Sequence, residues 1–311
     1  MSAYIARRLL LIIPTLFLVT IIVFLTIRLI PGDVVELMLS QHQEVAVGEY
    51  KLTVEAIKQR LGLDEPMHIQ YARWVGNIIL QGDLGKSLWT GMPITEELLH
   101  RFPVSLELGL IAMVVALTIA IPVGVYSAVR QDTIGDYLGR TIAIAAIAIP
   151  SFWLGTMVMV YPSIWWGWTP PLQLISFAED PVGNLVQFLI PGTILGMVLS
   201  GSTMRMTRTM MLEVLRQDYI RTAWSKGLAE RTVILRHCLK NALIPVVTIV
   251  GLMLPVLIGG SVILEAIFCL PGIGRLTVEV LRSRDYTVLS GINLFMASFV
   301  LLVNLLTDLT Y

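Results

Sequence analysis

The sequence has 311 residues, 56% hydrophobic and 14% charged, with 22 basic residues balancing 22 acidic ones. Soluble domains carry about a quarter charged residues, so a chain with mean hydropathy +0.78 lacks the polar surface water demands and belongs in a membrane. Zero net charge gives no ground for a nucleic-acid partner; only the distribution of charge is informative.

Leu9 to Ile30 is almost wholly apolar and long enough to cross a bilayer. Arg7 and Arg8 precede it, and it lacks the short core and small-residue cleavage site of a signal peptide, so it should persist as a first helix. Arg28 near its far end can snorkel to the interface, and Pro31-Gly32-Asp33 ends the span. A polar region follows. Thr53 is an N-cap for a helix with Val54, Ile57 and Leu61 on one side and Gly62 at its end, and a second apolar-periodic piece runs from Ile69 to Leu80. Gly85-Lys86-Ser87 resembles the tail of a phosphate-binding loop. Leu80 stands where that motif needs its first glycine, so the reading fails.

Further spans are predicted at Val104–Val129, Thr141–Tyr161 with Pro150 inside, about Leu185–Met206, about Leu243–Phe268, and Val288 to the end. Trp165, Trp166 and Trp168 stand where interfacial tryptophans belong, and Gly192-x-x-x-Gly196 predicts close packing against another helix. The expectation is an all-α polytopic membrane protein with six transmembrane helices. It divides into an N-terminal helix at 1–30, an extracytoplasmic segment with short helices at 31–103, and a five-helix core at 104–311 with a cytoplasmic loop at 207–243. Basic residues cluster in 1–8, 130–140 and 205–243, which puts those pieces and the N-terminus in the cytoplasm.

The most informative stretch is EVLRQDYIRTAWSKGLAERTVILRHCLKNALIP, residues 213–245. Ile220, Ala223, Trp224, Gly227 and Leu228 share one helical face, while Arg221, Ser225 and Lys226 lie on the other. Gly227 supplies a left-handed helix end. A second short helix is expected to place Leu235, Leu239 and Ala242 opposite Arg236 and Lys240. On residues alone, docking of a soluble partner and simple topological anchoring are equally open. Glu265 lies about a turn before Cys269-Leu270-Pro271-Gly272-Ile273-Gly274, where it could line an outer gate or cap a neighbouring helix. Cys238 and Cys269 are separated by a predicted span, roughly 30 Å, beyond disulfide reach. The histidines show no metal-ligand spacing, no serine has a nucleophile-elbow context, and Walker motifs are absent. No catalytic chemistry or metal site is predicted. Intramembrane charges near the midplane are missing, which argues against an ion-coupled secondary transporter; a membrane scaffold is a further alternative.

The segment DYIRTAWSKGLAERTVILRHCLKNALIPVVT closely resembles the EAA-type loop of permease subunits of bacterial ABC importers. The match is best with the B-type subunit of the dipeptide/oligopeptide/nickel family. ARRLLLIIPTLFLV, RLIPGD, LGLDEP, QGDLGKS, RFPVSLELG, MRMTRTMMLEVL, FCLPGIGRL and SRDYTVL extend the resemblance over nearly the whole chain. It implies the type I ABC importer permease fold, with Tyr219 to Gly227 as a coupling helix seated on a cytosolic ATPase subunit. Asp218, Tyr219, Arg221, Ala223, Trp224, Lys226, Gly227, Asn241 and Pro245 would serve ATPase coupling. Glu265, Pro271, Gly272 and Gly274 would form an outer gate or binding-protein contact. Implied partners are a homologous second permease subunit, two ATP-binding subunits holding ATP and magnesium, an extracytoplasmic substrate-binding protein and the lipid bilayer. The chain itself would bind no cofactor. Peptides are the implied cargo, with nickel chelates, glutathione, opines or sugars as alternatives. Trp224 replaces a common basic residue, Ala229 a capping serine, and Val34 and Thr287 prolines. A short Asp-Pro-Arg tail is expected beyond Tyr311.

Overall fold

The computed structural model describes residues 2–29, 64–171 and 173–309. The Thr53–Gly62 helix and Val34 lie outside them. The described elements are α1 (Ser2–Arg28), α2 (Met67–Gln81), α3 (Ile94–Val129), α4 (Ile134–Ala148), α5 (Ser151–Trp166), α6 (Pro181–Leu215), α7 (Asp218–Ser225) and α8 (Glu230–Thr232). A π-helical turn (Val233–Cys238) leads into α9 (Leu239–Gly260), followed by α10 (Val262–Ile267), α11 (Ile273–Ser283) and α12 (Tyr286–Leu309). Among the described residues no strand forms. Among the described residues, four continuous helical stretches are long and apolar enough to cross a membrane: α3, α6, the run Glu230–Ile267 and α12. The α4–α5 pair gives a fifth span if counted as one, and α1 carries a shorter apolar run, Leu10–Thr26.

Two expectations need correction. The span predicted from Thr141 to Tyr161 is two helices meeting at 87°. Pro150 forces the residue before it out of helical geometry; Ile149 sits at φ −81, ψ 122, and Pro150 caps α5. The second surface helix expected after Gly227 is not a separate element either. From Glu230 onward the chain stays helical into α9, with the π turn in between. That turn changes which residues face inward. Val233 and Cys238, five apart, are both fully buried, whereas Leu235 is 47% exposed. A strict 3.6-residue period misphases the segment.

The chain forms two compact units, residues 1–101 with 276–302, and 102–275 with 303–311. In the first, α1 packs on α2 through Phe24, whose ring centroid lies 5.4 Å from that of Tyr71 and 6.0 Å from that of Trp74. The Thr20 hydroxyl is 2.8 Å from the Tyr71 hydroxyl. Gly82 closes α2 at φ 64. The turn after it is held by Asp285, 2% exposed. Its Oδ2 accepts from Ser87 Oγ at 2.7 Å and from Leu88 N at 3.1 Å, and Trp89 Nε1 donates to Ser283 O at 2.9 Å. Lys86 and Ser87 thus belong to a structural turn, and the QGDLGKS and SRDYTVL stretches are each other's partners.

In the second unit, Leu108, Ala112, Phe188, Leu195, Leu257, Leu264, Phe268 and Leu270 make the main core. The Gly192-x-x-x-Gly196 pair lets α6 lie against α3. A Cβ at Gly192 would stand 2.6 Å from Ile111 Cγ2, and one at Gly196 2.6 Å from the Ala112 carbonyl oxygen.

Candidate functional site

The polar stretch at 213–245 builds a small amphipathic element on the second unit. α6 ends at Leu215, and Gln217, extended at φ −72 and ψ 147, starts α7. Ile220 (0% exposed) and Ala223 (7%) are three residues apart and sink into a cluster with Ala128, Met211, Val233, Cys238 and Ala242. One face of α7 is therefore fixed to the ends of α3 and α6 and to the beginning of α9. Fully burying an Ile side chain is worth about 1.5–3 kcal/mol, more than an isolated helix of this length can supply for its own formation.

The other face is open. Tyr219 and Trp224 are each 44% exposed, and Asp218, Arg221, Ser225 and Lys226 are exposed beside them. The Arg221–Asp218 ion pair, 3.4 Å, lies in solvent and adds little to stability. Trp224, which periodicity groups with Ile220 and Ala223 on one face, stays exposed while those two are buried. Tyr219 instead ties α7 to α9: Asn241 Nδ2 donates to its hydroxyl at 2.8 Å and to His237 O at 3.2 Å. Gly227 ends the element at φ +73 with open space where a Cβ would be, so it is required for backbone conformation and not for packing. Ala229 starts the next helix with its backbone alone and no side-chain cap. Pro245, half-buried inside α9, cannot donate to the Asn241 carbonyl.

A second polar feature supports the same end of the unit, and the sequence reading passed over it. Asp136, fully buried, accepts two hydrogen bonds from Arg208, Nε to Oδ1 at 2.9 Å and Nη2 to Oδ2 at 2.8 Å. Asp132 N adds a third at 3.1 Å, and Arg140 Nε lies 3.6 Å away. The side chain of Thr133 caps α4 by accepting from Asp136 N. This fork-on-fork pair fastens the first turn of α4 to α6 less than three turns before α7. The Thr133-x-x-Asp136 capping pattern was the available signal; Arg208 reads by itself as one more topological charge.

At the other end of α9, Glu265 is 0% exposed. Its Oε1 accepts from Ser105 Oγ at 2.7 Å and Ser261 Oγ at 2.6 Å, and its Oε2 from Arg275 N at 2.9 Å. Ser105 Oγ in turn accepts from Ile273 N at 2.8 Å. The carboxylate thus caps α11, one of the two roles open to it. Cβ atoms at Gly272 and Gly274 would both collide with the Glu265 carboxylate. Glu265, Gly272 and Gly274 are buried, and Pro271 is partly exposed. The backbone of 272–275 wraps the Glu265 carboxylate. Cys238 and Cys269 are both free thiols.

Long apolar helices with a short amphipathic helix packed against them define a polytopic membrane protein. The inward-facing MetNI methionine ABC transporter matches with TM-score 0.54 at 18% identity, over 69% of this chain and 94% of that one. An amino acid ABC transporter matches with TM-score 0.52 at 13% identity, over 70% and 93%. The fold is that of type I ABC importer permeases. Family models agree: "binding-protein-dependent transport system inner membrane component" covers residues 120–311, and its N-terminal counterpart covers 1–109. The chain belongs to this family of multi-pass inner-membrane transport components. Similar proteins include the di/tripeptide transport system permease DppB of Pseudomonas aeruginosa, 39% identical over 100% of this chain and 97% of that protein. The dipeptide transport system permease DppB of Escherichia coli K12 is 38% identical with the same coverage.

Proposed function

We propose that this chain forms half of the translocation pathway of an ATP-driven importer of di- or oligopeptides, with α7 as the element that receives movement from a cytosolic ATPase. The observation that carries the reading is the division of α7 into two faces. Ile220, Ala223 and the Tyr219–Asn241 hydrogen bond hold it to α6 and α9, while Trp224, Arg221 and Lys226 face outward. A helix fixed on one side and open on the other transmits a push into the helices behind it. Gly227 sets the direction in which the chain leaves, and Asn241 and Pro245 mark its entry into α9. The peptide cargo is supported by the names of the two DppB relatives.

The partners follow from the same reading. A second permease completes the path, two ATP-binding subunits hold nucleotide and perform hydrolysis, and an extracytoplasmic binding protein delivers cargo to the outer loops, 34–103 and 269–287. The N-terminus lies in the cytoplasm, supported by the basic residues of 1–8, 130–140 and 205–243. Residues 104–311 act as the core. Glu265, Gly272 and Gly274 serve the outer gate as its rigid corner, holding α10 and α11 together as the path switches.

The test is retention of the ATPase subunits by affinity-purified complex carrying Trp224→Glu. Loss of the ATPase from an otherwise intact permease pair is expected. Wild-type retention together with wild-type ATP-driven uptake would remove α7 from the contact.

A further inference from the structure

On the second unit, the last turns of α3 and the helical run that begins with α8 enclose a groove of about 540 Å³. Its walls are apolar, with Ile121 and Val125 on one side and Ile234 and Leu239 on the other. Both walls change character at the same end. α3 gives way to Arg130, and the opposite wall begins with Glu230 and Arg231, all three lining the groove and exposed. Among the described residues neither Arg130 nor Arg231 forms an ion pair. Tyr126, 53% exposed, adds a hydroxyl near that mouth.

We infer that this groove binds an anionic phospholipid, its phosphate between Arg130 and Arg231 and its acyl chains along the apolar walls. Charge and depth select this occupant. Two arginines and one carboxylate leave the mouth one positive charge in excess, the complement of a headgroup with net charge minus one. The passage from apolar wall to charged mouth follows the boundary between acyl chains and headgroups, where arginines favour anionic lipid. A soluble anion would leave the walls empty, and a neutral acyl chain would leave both guanidiniums without a counter-charge. Glu230 opposes the phosphate and keeps the site selective for a singly charged headgroup. Because one wall is the chain between α7 and α9, a seated lipid braces the base of the docking element. The binding itself requires only that the chain sits in a bilayer and holds whatever the cargo or engine.

The experiment is native mass spectrometry of the complete complex released from nanodiscs containing phosphatidylglycerol and phosphatidylcholine. Wild type should retain phosphatidylglycerol preferentially. Each of Arg130→Gln and Arg231→Gln should lower that retention about fivefold, since a basic residue near an anionic headgroup contributes about that factor. Glu230→Gln should raise it. Leu235→Trp, which fills the groove from a partly exposed position, should displace lipid while both arginines remain. Equal retention of the two lipids by wild type, or unchanged phosphatidylglycerol in the double arginine variant, would overturn the inference. Cross-linking of a cysteine at Leu235 to another subunit, with no lipid retained, would give the groove to a protein partner and overturn it equally.

Discussion

At the scale of single residues, the two buried carboxylates decide most. Asp136 and Arg208 form a pair in which both acceptor oxygens are used and the acid is fully enclosed. Removing one member leaves the other's charge buried and unsatisfied, which in comparable sites costs about 3–5 kcal/mol. Asp136→Ala should therefore lower the thermal midpoint of the detergent-purified complex clearly, and Asp136→Ala/Arg208→Met should recover part of it. A double variant no better than the single would show that the pair is not the source. Gly272 makes a sharper case. An added methyl there meets the Glu265 carboxyl group and Ser105 Oγ, so Gly272→Ala should destabilise by about 1–3 kcal/mol through overpacking, read as a fall in the midpoint of unfolding. An unchanged midpoint would mean that the corner yields freely.

The helices themselves show what periodicity conveys and what it hides. The spans read from long apolar runs recur as α3, α6, α9 and α12, and the Gly192–Gly196 pair does bring α6 against α3. α7 begins one residue before, and ends two residues before, the Tyr219 to Gly227 stretch that the resemblance implies. Pro150 was visible too, but its effect was not, because a proline in an apolar run reads equally as a mild kink or a full break. The π turn left no trace in a 3.6-residue pattern: Leu235 looked like core, and Val233 and Cys238 did not. The turn holds one residue more than an α-turn would, so removing one should restore ordinary α-helical spacing, bring Val233 and Cys238 four apart on one face, and keep the phase of the chain upstream. A Leu235 deletion is therefore expected to leave both membrane insertion and ATP-driven uptake intact; abolished uptake would contradict the turn's holding one surplus residue. Tyr219→Phe removes one hydrogen bond, worth about 1 kcal/mol, and should reduce uptake per ATP hydrolysed more than ATPase binding. Equal loss of both would place Tyr219 in the contact itself.

For the whole molecule, composition alone gave the membrane, and the stretch at 213–245 gave the class of transporter. The Ser87–Asp285 and Ser105–Glu265 contacts join residues more than a hundred positions apart, which no local pattern can report. The stretches QGDLGKS and SRDYTVL were noticed separately, and only coordinates show that they are one feature. The central claim is that movement enters the bilayer through α7 at a fixed exit angle from Gly227. Proline holds φ near −65°, whereas Gly227 adopts φ +73. The direct measurement is ATP-driven dipeptide uptake by proteoliposomes containing the complete complex with Gly227→Pro. The account predicts that uptake collapses while both permease subunits remain assembled; uptake at the wild-type rate would contradict it.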